Sequence, residues 1–252
     1  MMICIVIPHY DHVPQFHAIL PKLVAHQMPL IVVDDGSSEE SFTALRRLLD
    51  EYANEATLIR QELNRGKGGA VMTGLRAAHK AGFTHALQLD ADGQHDTSAI
   101  EGFRREAEKN PSYLICGEPK FADDISKLRF FARFITLWFC WLESLSTQIR
   151  DAMCGLRVYP LESVVEIIDN NRLGQRMAFD SEILVRAVWD NIPLKFIPVN
   201  VRYPEGGKSH FRYLRDNIEI SWMHTRLITG MLLRLPALLR RRRVANKKRA
   251  PR

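Results

Sequence analysis

Cysteine is scarce and dispersed in this sequence. Cys4, Cys116, Cys140 and Cys154 are the only four, and no two of them form a Cys-x-x-Cys pair. That spacing excludes a small zinc site and a disulfide framework, and reduced thiols in a cytosolic protein are the expectation. Long apolar runs are also missing. The richest stretch, residues 130–145, falls well short of the roughly 20 residues that cross a bilayer. Ile3 to Ile7 stops at Pro8 and has no basic residue before it, which reads as a strand and not as a signal peptide. Neither Gly-x-Gly-x-x-Gly nor the Walker spacing is found in the Asn64–Gly69 loop, so neither a dinucleotide fingerprint nor a P-loop follows. No internal repeat or low-complexity linker divides the chain.

Acid is missing from the C-terminal end. Residues 240–252 hold eight Lys or Arg and no Asp or Glu, in a chain with 35 basic and 29 acidic side chains and a net charge of +6. Without those eight the balance is 27 to 29, a net charge of −2. The basic character therefore belongs to a tail, and a nucleic-acid-binding body is excluded on charge grounds.

What is present is alternation. Strands are expected at Ile3 to Ile7, Leu30 to Val33, Thr57 to Arg60, Thr84 to Leu89 and Tyr113 to Cys116. Helices are expected at Val13 to His26, Glu39 to Ala53, from the Asn64 loop to Lys80, and near Ser98 to Lys109. Pro21 predicts a kink or restart in the first helix. The pattern predicts an α/β fold, a mostly parallel sheet with helices on both faces. Further on, Gly155-Leu-Arg157 leads into a strand, Phe179-Asp180-Ser-Glu182 opens a helix, and Leu194 to Tyr203 reads as a strand. Residues 211–239 predict a long amphipathic helix, broken near Pro236, that leads into the basic tail.

The polar chemistry gathers after strands one, two and four, which right-handed crossovers place on one edge of the sheet. Ligands bind outside the carboxyl ends of strands in such sheets. Asp90-Ala-Asp92-Gly-Gln94 carries two carboxylates on one face, if the strand continues, with an amide beside them. That set suits a hard divalent cation, Mg²⁺ or Mn²⁺, which in turn suits a nucleotide diphosphate; the competing reading is a polar turn. Asp34-Asp35-Gly36-Ser37 offers carboxylates to a base or ribose, or is a plain turn with a Ser N-cap. Tyr10, in Pro8-His-Tyr10-Asp11, stacks on a base or sits on a rim. Asn64-Arg-Gly66-Lys67-Gly68-Gly69 brings backbone N–H groups and Lys67 to a phosphate, or only starts a helix. Asp180 and Glu182 are candidates for a general base or acceptor contacts, against the ordinary preference for acids in a first helical turn. Asp151 and Arg157 flank Gly155; the guanidinium suits a phosphate or a structural ion pair. Lys208 and Ser209, on a Gly-rich loop, close over phosphates or form a solvated hairpin.

In this order, the segments resemble family 2 glycosyltransferases of the GT-A fold, particularly the dolichyl- or polyprenyl-phosphate sugar synthases. The matching segments are Ile5-Val-Ile-Pro8-His-Tyr10-Asp11, Val32-Val-Asp34-Asp35-Gly-Ser37, Asn64-Arg-Gly-Lys67-Gly, Asp90-Ala-Asp92-Gly-Gln94, Asp151 through Gly155-x-Arg157, and Gly-Lys208-Ser209. The resemblance implies a GT-A nucleotide-sugar glycosyltransferase domain at residues 1–210 and a membrane-associating amphipathic helix and basic tail at 211–252. It implies inverting transfer of a sugar from a nucleotide diphosphate donor to a lipid-linked or lipid-like acceptor. Pro8, Tyr10, Asp11 and Asp34 would line the nucleoside pocket, with Asp35 close by. Asp90, Asp92 and Gln94 would hold Mg²⁺ or Mn²⁺ against the diphosphate. Arg157, Lys208 and Ser209 would contact the diphosphate or an acceptor phosphate. A lipid phosphate needs little base; a hydroxyl acceptor needs one, with Asp180 the first choice and Asp151 the second. Where the synthases carry an Arg after the fifth strand, only Lys120 is present, and His210 replaces a basic residue after Ser209. The loop from Tyr203 to Phe211 looks more like bacterial relatives associated with aryl-polyene pigment lipids.

An apolar-faced helix beside Arg240-Arg-Arg-Arg243 is a two-signal arrangement for an anionic membrane surface. A peripheral, cytoplasmic protein at the inner face of the cytoplasmic membrane is therefore expected. No nucleic-acid partner is expected, because no aromatic–basic module accompanies the cluster. Two other readings compete. A nucleotidyltransferase making an NDP-sugar needs a Gly-rich loop and a basic residue right after strand one, which Pro8-His-Tyr-Asp lacks. A non-catalytic membrane adaptor has no use for the intact Asp-x-Asp-x-Gln.

Overall fold

The computed structural model describes residues 1–94, 96–120, 127–200 and 213–249. Seven strands form one sheet: β1 (Ile3–His9), β2 (Leu30–Asp34), β3 (Ala56–Arg60), β4 (His85–Gln88), β5 (Leu114–Lys120), β6 (Arg157–Pro160) and β7 (Leu194–Asn200), in the order β3-β2-β1-β4-β6-β5-β7. The helices are α1 (Val13–Val24), α2 (Glu39–Asp50), α3 (Lys67–Lys80), α4 (Ala99–Lys109), α5 (Lys127–Ser144), α6 (Leu161–Asn170), α7 (Ala178–Trp189) and α8 (Tyr213–Arg249). The expected mostly parallel α/β sheet is present.

Both faces of the sheet are covered, which is why its strands read as unbroken apolar runs. On β1, Cys4 and Val6 enter a core built with α3, α6 and α7, while Ile5 and Ile7 enter a second core built with α1, α2 and α4. All four cysteines are buried and unpaired, and burial pushes the Cys4 thiol up to about 12. They are packing residues.

Two features of the sheet position the site. The strand order reverses direction between β1 and β4, and that is where open α/β sheets bind ligands. In addition, β6 runs antiparallel to both neighbours, with Gln88 opposite Arg157. The start of β6 therefore lies beside the end of β4, and the loop before β6 joins the same rim as the loops after β1, β2 and β4.

Neither proline breaks its helix. Pro21 lies within α1 and Pro236 within α8. Each is exposed, and so is the residue four positions earlier, His17 or Leu232. The hydrogen bond that each proline removes would have lain on the solvent side, where water replaces it. The helix α6 had no expectation attached to it.

The last helix is docked through polar contacts as well as apolar ones. His224 Nδ1 lies 2.6 Å from the buried Glu143 Oε1 of α5, and Arg226 reaches Glu182 of α7 at 3.0 Å. Burial pushes the Glu143 carboxyl up, and the His224 hydrogen bond opposes this only in part. Met223, Leu227, Met231 and Leu238 face the body. The opposite side is also apolar, with Leu214, Ile218, Trp222, Leu232 and Leu233 exposed. The expected amphipathic helix is thus apolar on its solvent side too. Among the described residues, no helix is long and apolar enough to cross a membrane.

Candidate active site

The site begins where β1 and β2 end side by side. Their register sets His9 opposite Asp34, and His9 Nδ1 lies 3.4 Å from Asp34 Oδ1 with both side chains fully buried. The other Asp34 oxygen accepts from the Ser37 amide at 3.3 Å. Burial pushes the Asp34 carboxyl up, but the bonds from His9 and Ser37 outweigh it and hold the group below its ordinary value. The Ser37 hydroxyl accepts from the Asp11 amide at 3.0 Å, and Asp11 Oδ1 accepts from the Ser38 amide at 3.2 Å. The loops after β1 and β2 are thereby tied to each other. Pro8 and Tyr10 are half-buried and Asp11 is exposed, on the accessible side of this tie.

Asp35 is engaged within the protein. Its two oxygens accept from the Arg65 and Gly66 amides, each at 2.8 Å. Burial pushes its carboxyl up, and those two bonds only partly oppose it. The Gly69 amide donates to the Gln175 carbonyl at 2.6 Å. These three amides of the Asn64–Gly69 loop, expected to face a phosphate, are used inside the protein. The glycines serve close packing: a Cβ on Gly68 would lie 2.3 Å from the Phe179 Cβ. The Lys67 side chain leaves this loop for the site.

Lys67 is the centre of the charge arrangement. Its Nζ lies 2.9 Å from Asp90 Oδ2 and 3.0 Å from Asp180 Oδ2. Burial alone would lower its pKa, but Asp180 and Asp90 overcome that and hold it well above the ordinary lysine value. Asp90 stands two residues beyond β4 and Asp180 in the first turn of α7, so three distant segments converge on one ammonium. Gly155 makes the approach possible, since a Cβ there would lie 2.3 Å from Asp90 Oδ2 and 2.8 Å from Lys67 Nζ.

The remaining residues divide into those at the site and those beneath it. β4 stops at Gln88, so Asp90 and Asp92 do not continue a strand as expected; Asp92 Oδ1 instead accepts from the Gln94 amide at 3.0 Å, closing a turn. Arg157 is 0% exposed, and its guanidinium donates to the carbonyls of Cys154, Asp180 and Ala152 at 2.9, 2.7 and 3.2 Å. This corrects the expectation of a phosphate contact: Arg157 fixes the loop before β6 and the start of α7 from below. Asp151 pairs with Arg133 of α5 at 2.6 Å and caps the Met153 and Cys154 amides. Lys208 and Ser209 lie outside the described residues. Sequence reading missed His9 and Arg133, because only strand register and the packing of α5 bring them to their partners.

The donor set suits a hard divalent ion. Asp90 already holds a cation at hydrogen-bond distance, its neighbours Asp92 and Gln94 supply oxygen atoms, and Gly155 keeps the space open. Among the described residues no cluster of three His, Cys, Asp or Glu stands ready for a metal. An ion here would complete its shell with water and phosphate oxygens, as Mg²⁺ commonly does.

Comparison with known proteins shows the family and the fold. The family described as Glycosyl transferase family 2 matches residues 4–180. The dolichyl-phosphate beta-glucosyltransferase of Dictyostelium discoideum is 28% identical over 188 residues, which are 71% of this chain and 56% of that protein. The UDP-N-acetylglucosamine–dolichyl-phosphate N-acetylglucosaminyltransferase of Methanococcus voltae is 24% identical over 219 residues, 81% of this chain and 87% of that one. Among solved structures, the mannosyltransferase PcManGT from Pyrobaculum calidifontis, in complex with GDP-Man and Mn²⁺, aligns with a TM-score of 0.58 at 17% identity, over 92% of this chain and 64% of that one. S. aureus TarS 1-349 in complex with UDP aligns with a TM-score of 0.59 at 14% identity, over 92% and 66%. At such identities the structural likeness shows the fold, which is GT-A-like.

Asp34 provides a test of how the paired ends of β1 and β2 are braced. Its folded pKa is depressed, so its contribution is present above the ordinary value of 3.8 and is lost as pH falls through the lower folded value. Asp34→Asn should cost about 1–3 kcal/mol at neutral pH, the scale of a hydrogen bond to a charged group. In urea denaturation the gap to wild type should narrow below pH 3.8; a gap independent of pH would contradict the assignment.

Proposed function

Because the chain belongs to glycosyl transferase family 2, we propose that it transfers a sugar, with inversion, from a nucleoside diphosphate donor to a lipid-phosphate or lipid-like acceptor at a membrane surface. The observation that carries this reading is the convergence of Asp90, Lys67 and Asp180 outside the carboxyl end of β4, next to the paired ends of β1 and β2. The names of the dolichyl-phosphate relatives support the acceptor class.

In this reading, Pro8, Tyr10 and Asp11 form the wall of the nucleoside pocket, with Asp34 and Asp35 bracing it from within. Asp90, Asp92 and Gln94 would hold Mg²⁺ or Mn²⁺. When bound, the ion supplies Lewis-acid stabilisation of the departing diphosphate. Lys67 donates to a phosphate oxygen and stabilises the same developing charge. Lys208 and Ser209 are assigned to the phosphates as well. The acceptor oxygen attacks the anomeric carbon as the bond to the diphosphate oxygen breaks, and the electron pair leaves with the nucleotide. Attack from the opposite face inverts the centre. A lipid phosphate is already an anionic nucleophile. For a hydroxyl acceptor Asp180 takes the proton, while Asp151, held by Arg133, is the weaker candidate.

The membrane assignment rests on exposed apolar stripes. On α5, Phe131, Phe134, Ile135 and Trp138 are exposed at helical spacing, and α8 exposes Leu214, Ile218 and Trp222. From residue 220 to 252 the sequence contains no acid and ends in the basic run, which suits an anionic, cytoplasm-facing membrane surface.

Two measurements test this reading. Asp92→Asn should lower sugar transfer from a nucleotide sugar to a short polyprenyl phosphate by about a hundredfold or more, with an unchanged circular dichroism spectrum; wild-type turnover would sink the donor-site assignment. Deleting residues 240–252 should weaken co-sedimentation with anionic liposomes by at least about tenfold at low salt and by less at high salt. Unchanged sedimentation would refute the role given to the tail.

A further inference from the structure

Asp90 and Asp180 share one counter-charge. Lys67 Nζ contacts both, at 2.9 and 3.0 Å, and the group is largely sequestered, with side-chain exposures of 19% for Lys67, 20% for Asp90 and 8% for Asp180. Asp180 Oδ1 is buried and accepts no hydrogen bond among the described residues, with the Arg157 guanidinium 3.9 Å away. The ammonium therefore occupies a position between carboxylates that a divalent ion would also favour. An ion that arrives alone meets the Lys67 charge and must take Asp90 from it. A nucleoside diphosphate changes that balance. Its phosphate oxygens give Lys67 another anionic partner and give the ion further ligands.

We propose that Lys67 is a resident counter-cation that holds the donor carboxylates in place of the metal and yields Asp90 only when ion and nucleotide arrive together. This rests on the donor-site reading above and adds to it an order of assembly. Asp90 and Asp180 stay paired with the Lys67 ammonium in the absence of donor. The ion is held more weakly on its own, and ion and nucleotide each tighten the binding of the other by the same factor, as linkage requires. Lys67 is then a positioning residue before the donor binds and a phosphate contact afterwards.

The test is calorimetric titration of Mn²⁺ into the full chain, with and without saturating UDP or GDP, for wild type, Lys67→Met and Lys67→Arg. Wild type should bind Mn²⁺ about tenfold or more tightly with nucleotide than without, within the usual range of coupling between sites. Lys67→Met should bind Mn²⁺ alone about tenfold more tightly than wild type, and the coupling should shrink. Lys67→Arg, which keeps the charge, should gain little. If Lys67→Met does not fold, the charge-balanced double variant Lys67→Met with Asp180→Asn takes its place, with the same expected gain. Mn²⁺ binding to the neutral variant that is no tighter than wild type, or an equal gain in Lys67→Arg, overturns the proposal. If UDP or GDP still binds with Mn²⁺ in that case, only the role of Lys67 falls. If wild type binds none of UDP, GDP, CDP and dTDP with Mn²⁺, the donor-site reading falls and this inference with it.

Discussion

A lysine shared by two carboxylates organises one end of this molecule. Lys67 begins α3, Asp90 follows β4 and Asp180 begins α7, so their meeting requires each of those elements to end at the same level. Removing one partner from such a group leaves charge uncompensated in a partly dry site, at a cost of roughly 3–5 kcal/mol for a buried pair. Much of the surrounding structure serves to hold the three together. Asp35 pins the loop before α3 by its amides, Arg157 pins the loop before β6 and the first turn of α7 by their carbonyls, and Gly155 leaves room for the contact. Antiparallel β6 carries Gly155 to that rim; a parallel strand would have delivered it to the opposite end of the sheet.

The α/β fold was legible because buried parallel strands are apolar throughout and helices are periodic. That Asp34 and Asp90 stand at strand ends on one rim was legible too, since the loops after those strands share one edge of the sheet. What each residue touches was harder to read. Asp34 and Asp35 are adjacent, yet one is braced by His9 and Ser37 and the other by the amides of Arg65 and Gly66. Strand register and loop path decide that difference, and neither is local. Arg157 looked like a phosphate ligand by residue type, but the alternation of β6 turns it inward, where three carbonyls satisfy it. Pro21 and Pro236 signalled breaks, and solvent-facing carbonyls removed the penalty. The Arg133–Asp151 and Glu143–His224 pairs join segments 18 and 81 residues apart, beyond the reach of any spacing rule.

The C-terminal helix extends the same logic outward. One side of α8 is tied to α5 and α7 through His224, Arg226 and the Arg234 guanidinium stacked 4.8 Å over the Trp189 ring. That leaves its other side, with Trp222 at 63% exposure, free for an apolar partner. Because α5 supplies Arg133 to the Asp151 loop, the helix that borders the site also carries an exposed aromatic stripe. In the proposed reading this places a lipid-borne acceptor and the donor pocket on neighbouring elements.

The central claim is that the carboxyl-end rim of this sheet is a metal-dependent nucleoside diphosphate site. The most direct measurement is calorimetric binding of UDP, GDP, CDP and dTDP to the wild-type chain, each in Mn²⁺ and again in EDTA. The account predicts that one of the four binds in Mn²⁺ and loses its affinity in EDTA. Binding of none, or binding indifferent to EDTA, would contradict it and leave the Asp-Ala-Asp tract as a turn stabilised by a lysine.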